Sequence, residues 1–330
     1  MKNSKILITG GTGLVGSFVI KELLNSGYSN LSVLTRNPNK FSEQKEFAKV
    51  NFLQGDVTEV YPLQDYISES DYVIHCAAMV SYDPRDYDQM HKINVEGTEN
   101  VVNFSLDSNV KKLIHVRSIA AIGKDEKSVI LSEKDGWMNT KGNSYYSVTK
   151  YLGEQHAWRA YNEGLSLAIV NPSVIIGSGD YSQSSLQLFQ RVHKGIPFYP
   201  KGGTGFVDVR DVAKFIRLLL ESEVIGERFI LSSANLSFKN FFDKVAQYIG
   251  VNPPKKQAPD WMLGILWRVE SLRTRIFGGQ PLITRSSVVS TSHMTTYDNS
   301  KSKNHFNFRY IPIDETIKHF SSIFAENLKD

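Results

Sequence analysis

Tyr146 and Lys150 stand four residues apart in the run Tyr146-Ser147-Val148-Thr149-Lys150. On a helix that spacing puts both side chains on one face. A phenol with a pKa of about 10 is a poor acid or base at neutral pH. A nearby ammonium favours the phenolate, and is expected to bring Tyr146 down into working range for proton transfer. Ser118 follows the apolar run Lys112–Val116. If that run is a strand, the Ser118 hydroxyl sits at a sheet's carboxyl edge and can hold a substrate oxygen. A tyrosine and a lysine one turn apart usually only decorate a surface. Joined to Ser118, they suggest proton exchange with an oxygen.

A second cluster could hold an anion. The apolar run at Lys5–Thr9 leads into Gly10-Gly11-Thr12-Gly13-Leu14-Val15-Gly16, with glycines at Gly10, Gly13 and Gly16. Glycine lets the backbone turn tightly and approach a pyrophosphate, and a helix N-terminus offers free N–H groups to it. Strand, glycine turn and helix in that order read as a dinucleotide site. About 20 residues on, an acidic residue would bind the adenosine ribose diol and favour NAD. This chain has Thr35 and Arg36 there. A guanidinium suits a 2′-phosphate, so NADP is expected, with NAD the alternative. Asp56, in Gly55-Asp56-Val57, could accept from the adenine amino group.

The elements that must position these residues follow from the rhythm of the chain. Short apolar runs at Lys5–Thr9, Leu31–Leu34, Val50–Leu53, Asp71–His75, Lys112–Val116 and Leu167–Val170 predict strands. Helical segments are expected at Leu14–Asn25, Asp86–Leu106 and Ser144–Glu163. The runs are apolar throughout, as in strands covered on both faces, and right-handed crossovers give an α/β Rossmann-type doubly wound sheet. After Pro172 the pattern loosens through a Gly- and Ser-rich stretch, Gly177–Ser185. Helices near Leu186–Lys194 and Val209–Glu221 and a strand at Glu227–Leu231 follow; from Ser237 helices and loops are expected. Residues 1–171 with 206–233 are assigned to the dinucleotide-binding domain, and 172–205 with 234–330 to a smaller, mostly helical substrate lobe over the strands' carboxyl ends.

Composition bounds the rest. The 330 residues are 41% hydrophobic and 22% charged, which excludes a disordered or fibrous chain. The single cysteine, Cys76, cannot pair internally and fits a packing role in a reducing, cytoplasmic setting. A net charge of +4 is too slight to demand nucleic acid. The first strand leaves no room for a signal peptide, and no integral membrane segment is expected. Eight scattered histidines show no metal-ligand spacing, and no Gly-x-Ser-x-Gly elbow appears. The apolar stretch beginning Trp261-Met262-Leu263 reads as a helix packed on the lobe, a substrate lid or a membrane-surface contact. Trp137, Tyr145, Tyr181 and Phe206 fit either a pocket for a hydrophobic or aromatic carbonyl compound or the buried core equally well.

The chain resembles an extended short-chain dehydrogenase/reductase of the NAD-dependent epimerase/dehydratase, dihydroflavonol-reductase-like group. The matching pieces are Thr9–Gly16, Gly55–Val57, His75–Ala78, Ile93–Thr98, Val116–Ser118, Tyr146–Lys150, Asn171–Gly177 and Phe206–Ala213, in the family's order. The resemblance implies Tyr146 as acid/base, Ser118 as the carbonyl-positioning hydroxyl, and Lys150 as tuner of Tyr146 and holder of the nicotinamide ribose. It implies that Asn94 helps organise the site. Thr12, Gly13, Leu14 and Val15 would line the pyrophosphate, Asp56 and Val57 the adenine, and Ala77 and Ala78 the riboses. Pro172, Ser173 and Val174 would meet the nicotinamide. It also implies a homodimer through the helices at Asp86–Leu106 and Ser144–Glu163.

Arg36, Asn171 and Ile176 depart from the acid, arginine and tyrosine typical of nucleotide-sugar enzymes. They pull toward an NADP(H)-dependent reductase interconverting a ketone or aldehyde and an alcohol. A nucleotide-sugar epimerase or dehydratase with tightly held NAD is the alternative, and a non-catalytic dinucleotide sensor is a third reading.

Overall fold

The structure, a computed structural model, describes residues 1–39, 45–123, 130–137, 143–181, 184–279, 281 and 283–328. Its frame is a parallel seven-stranded sheet, formed by β1 (Ile6–Thr9), β2 (Leu31–Thr35), β3 (Val50–Gln54), β4 (Tyr72–His75), β5 (Lys112–Val116), β7 (Leu167–Pro172) and β11 (Glu227–Leu231). The strand order is β11-β7-β5-β4-β1-β2-β3. It reverses direction between β1 and β4, the crevice where open α/β sheets bind ligands.

Every residue of β1, β5 and β7 is buried, as expected of strands covered on both faces. On one face Ile6 and Ile8 pack with α1 (Leu14–Asn25) and α7 (Val209–Glu221). Buried Gly16, Val19, Ile20 and Leu23 give α1 its apolar stripe. On the other face Leu7 packs with α2 (Val60–Ser68), α4 (Gly97–Asp107) and α5 (Tyr145–Asn162).

The helix expected at Asp86–Leu106 is interrupted. α3 (Tyr87–His91) runs through a π-helical turn at Lys92–Glu96 into α4. A wider turn of this kind re-aims the side chains beyond it.

The C-terminal part holds a strand that the sequence reading missed. β10 (Gly203–Asp208) pairs in parallel with β8 (Val174–Ile176) and antiparallel with β12 (Ala234–Ser237). Short pairs join β6 (Ile130–Leu131) to β14 (Thr296–Tyr297) and β9 (Phe198–Tyr199) to β13 (Lys256–Gln257). Ile176, Phe206 and helices α6 (Gln187–His193), α8 (Phe238–Ile249) and α12 (Ile313–Glu326) form their own apolar cluster. Phe206 stacks on Phe241 and Tyr181 packs edge-on against Phe324, so both are core residues here and not pocket aromatics. The remaining helices are α9 (Asp260–Phe277), α10 (Arg285–Thr291) and α11 (Ser300–His305). Ser182 and Gln183 of the Gly- and Ser-rich stretch lie outside the described residues.

Candidate active site

At the crevice, Gly10 leaves β1 with φ +67°. A Cβ added there would lie 2.5 Å from the Ala77 nitrogen, just after β4, and one on Gly16 would lie 2.3 Å from the Gly10 carbonyl oxygen. Only hydrogen fits at both positions. Gly13 N–H donates to Gly10 O (3.0 Å) and closes the turn. Gly13 caps α1 without a side-chain bond, and the first turn holds no acid. The N–H groups and dipole of α1 are therefore left for an anion, and Thr12 is half-buried beside them. Leu14 and Val15 turn their side chains into the neighbouring apolar clusters. The donor set and the space reserved by the glycines fit a dinucleotide's pyrophosphate.

Arg36, with a side chain 75% exposed, places Nε 3.8 Å from Asp56 Oδ2. The other Asp56 oxygen accepts from Thr58 N–H and Oγ1, both at 2.9 Å. Val57 is buried against Gly97, and its carbonyl accepts from Asn100 Nδ2 (3.1 Å). Its side chain is therefore part of the core. Ala77 is half-buried and Ala78 exposed just after β4. Pro172 and Ser173 are buried where β7 passes into β8 at Val174, and Ser173 Oγ has no partner.

The sequence-chosen reacting residues come together. Ser118 follows β5, and its Oγ accepts from Ala120 N–H (3.1 Å), starting a short 3₁₀ turn. Ser144 caps α5 by accepting from Ser147 N–H, so Tyr146 and Lys150 fall on the helix's first two turns, both buried. The Ser118 hydroxyl lies close enough to the Tyr146 phenol to lower its pKa. Tyr82 faces Tyr146, with ring centroids 6.2 Å apart.

The electrostatics differ from the expectation. Burial pushes the Tyr146 phenol up to about 12, against the smaller downward pulls of Ser118 and the Arg117 guanidinium. The Lys150 ammonium is not among the groups that shift it. Lys150 itself is brought down to about 7 by burial first and Arg117 second, with Cys76 and Glu154 opposing. Burial likewise raises the Cys76 thiol to about 12, in keeping with a packing role. His75 falls to about 3 and His115 well below its usual range, mainly through burial. Their rings stack at 4.9 Å, and both are neutral at physiological pH.

Arg117 and Glu154 were missed. The Arg117 side chain is fully buried; its Nε stands 3.6 Å from Glu154 Oε2, within ion-pair reach but beyond a hydrogen bond, and its nitrogens have no hydrogen-bond partner. Glu154 also accepts from Arg228 Nη1 (2.9 Å), Trp158 Nε1 (3.1 Å) and Asn171 Nδ2 (3.4 Å). Asn171 in turn donates to Ser118 O (3.1 Å). The available signals were an arginine ending an apolar strand and an acid eight residues after Tyr146. Asn94, set by the π-turn, donates to Met79 O (2.9 Å) and Thr149 Oγ1 (3.1 Å) and accepts from Met79 N–H (2.8 Å). It ties the loop after β4 to α5 beside Lys150. Among the described residues no group of His, Cys, Asp or Glu is placed to hold a metal.

A parallel sheet with a glycine-lined anion turn at its reversal point, beside the half-buried Ser118 and the buried Tyr146, defines a dinucleotide-dependent oxidoreductase. Residues 6–231 match the model of the NAD dependent epimerase/dehydratase family, and the chain belongs to that family as an extended short-chain dehydrogenase/reductase of the dihydroflavonol-reductase-like branch. It is 27% identical over 301 residues to a putative dihydroflavonol 4-reductase of Synechocystis, covering 89% of this chain and 87% of that one. It is 30% identical over 255 residues to tetraketide alpha-pyrone reductase 2 of Arabidopsis thaliana, covering 70% and 78%. The crystal structure of gox2253 superposes with a TM-score of 0.82 at 28% identity, covering 98% of this chain and 99% of that chain. No described helix is long and apolar enough to cross a membrane.

Proposed function

We propose that the protein interconverts a ketone or aldehyde and an alcohol with NADP(H), Tyr146 acting as proton donor and Ser118 as its partner on the substrate oxygen. The observation that carries this reading is the Ser118 hydroxyl beside the buried Tyr146 phenol, with Lys150 one helical turn further on. A bound nicotinamide would supply the hydride for reduction and take it up in oxidation.

At neutral pH the Tyr146 phenol is protonated, as a donor to a developing alkoxide must be. Ser118 shares the same oxygen and stabilises its growing charge. The phenolate left after donation is stabilised by Ser118 and Arg117. Lys150, near 7, is assigned the nicotinamide ribose. The absence of an acid closing β2, and Arg36 in its place, supports a 2′-phosphate. Gly10, Thr12–Gly16, Asp56, Val57, Ala77, Ala78 and Pro172–Val174 complete the proposed cofactor site. Residues 172–205 with 234–330 serve as the substrate lobe.

The test is a panel of carbonyl compounds and alcohols followed by NADPH oxidation or NADP reduction, with Tyr146→Phe run beside the native protein. The variant is expected to keep cofactor affinity within a few-fold while turnover collapses. Undiminished turnover would remove Tyr146 from the mechanism. NAD released from the freshly purified protein would favour the epimerase or dehydratase reading instead.

A further inference from the structure

Helix α9 does not pack as a lobe helix should. Leu263 and Thr274 are its only described buried residues, and they share one side. At 100° per residue, Trp261, Ile265, Val269, Leu272 and Ile276 fall within about 80° of arc on the opposite side. They are 53 to 71% exposed, and Phe277 at the end of the helix is 80% exposed. Over 15 residues the stripe is about 22 Å long. A monomer rarely leaves so continuous an apolar face in water.

The charges around the stripe select its occupant. Arg268 and Arg275 lie along one edge and Arg273 along the other. Glu270 is turned away from the stripe with a side chain 14% exposed, and it pairs with Arg273. From Lys255 to Arg285 the chain carries six Lys or Arg against Asp260 and Glu270, a surplus equal to its whole net charge of +4. An apolar stripe edged by arginines, with aromatic residues at its ends, has the composition of a helix lying in a bilayer interface. A second copy of the chain fits poorly, because a two-fold contact would bring arginine-lined edges together.

We propose that α9 docks this protein on the surface of an anionic lipid bilayer, with the stripe seated among the acyl chains and the flanking arginines on the headgroups. Arg85 Nη2 donates to Gly279 O (2.6 Å), just beyond α9, and so ties the helix to the loop that carries Tyr82. Tyr82 faces Tyr146, so a docked helix holds the candidate active site close to the lipid.

The test is co-sedimentation of the whole protein with vesicles of mixed phosphatidylglycerol and phosphatidylcholine, and with phosphatidylcholine alone. Binding is expected to the mixed vesicles, weaker to the neutral ones and weaker in high salt. Val269→Ser with Leu272→Ser alters only exposed positions. It is expected to leave thermal unfolding unchanged and to weaken binding roughly a hundredfold, through the lost burial of two aliphatic side chains. Native protein that stays in the supernatant with both vesicle types would overturn the proposal, as would a double variant that binds equally well. A native dimer that the double variant turns into a monomer would assign the face to a second copy and overturn it too. Because vesicle binding is read without substrate or cofactor, its failure is separate from failure of the proposed reaction.

Discussion

Replacing Lys150 by methionine tests the site's electrostatics without any substrate. Lys150 is 4% exposed and its pKa falls from 10.5 to about 7. Between those two values the unfolded chain binds one proton more than the folded chain. Stability therefore rises with pH across this window, at about 1.4 kcal/mol per pH unit from this group. The 3.5-unit fall corresponds to a cost of about 5 kcal/mol once both states are protonated, and of about 4 kcal/mol at pH 7. Methionine has a similar length and carries no proton. The cofactor-free variant should be more stable than the native protein near pH 7, by up to about 4 kcal/mol, with the gap closing toward pH 9 and above. Denaturant unfolding of both proteins at several pH values from 7 to 9 reads this difference directly. His75 and His115 charge in the unfolded chain only below this window. Cys76 is common to both proteins, so its contribution largely cancels. A gap that stays flat with pH would show that Lys150 is not held at a depressed pKa, and would undo the description of the site as a desolvated cationic pocket.

Three other substitutions probe separate parts of the construction. Arg36→Asp should lower the ratio of NADPH to NADH efficiency (kcat/KM) at least tenfold, and an unmoved ratio would remove the basis for choosing NADP. Gly10→Ala should destabilise the protein by about 2 kcal/mol or more, through its positive φ and the clash with Ala77, and weaken dinucleotide binding in a titration; native-like unfolding and affinity would contradict the close approach. Glu154→Gln leaves the buried Arg117 guanidinium without its counter-charge and should cost about 3 kcal/mol or more in denaturant unfolding, while a loss under about 1 kcal/mol would show that the pair carries no such weight.

The sheet was legible because buried parallel strands are written as unbroken apolar runs, such as Lys112–Val116, and the anion turn because glycine spacing has a direct steric cause. Tyr146 and Lys150 were legible as one helix face. β10 was not, since its Gly203-Thr204-Gly205 start reads as a loop and its partners are distant in sequence. The π-turn at Lys92–Glu96 was also hidden, because one wide turn leaves the apolar period on either side nearly intact. The direction of the Tyr146 shift depends on burial from every side, which no spacing along α5 encodes. Arg117 and Glu154 are 37 residues apart, and only the packing of α5 on β5 makes them a pair. For α9 the apolar helix was visible, but which face met the protein was not.

The pairing of Arg117 with Glu154 explains how α5 can keep two opposed groups in one dry pocket. Tyr146, Lys150 and Glu154 recur every four residues along one side of the helix, so phenol, ammonium and counter-charge are carried on a single rigid element. Burial alone would hold Tyr146 protonated and make its phenolate costly. Arg117, at about 10, stays charged at neutral pH and reduces that cost. The same guanidinium repels Lys150 and helps bring it near 7, while Glu154 moderates the repulsion and keeps the buried arginine tolerable. Gly153 makes this possible sterically: an added Cβ would lie 2.3 Å from the Asn94 carbonyl oxygen and 3.0 Å from Arg117 Nη1. The close approach of α5 to the π-turn and to the end of β5 thus sets the charge balance around Tyr146 as well as its position.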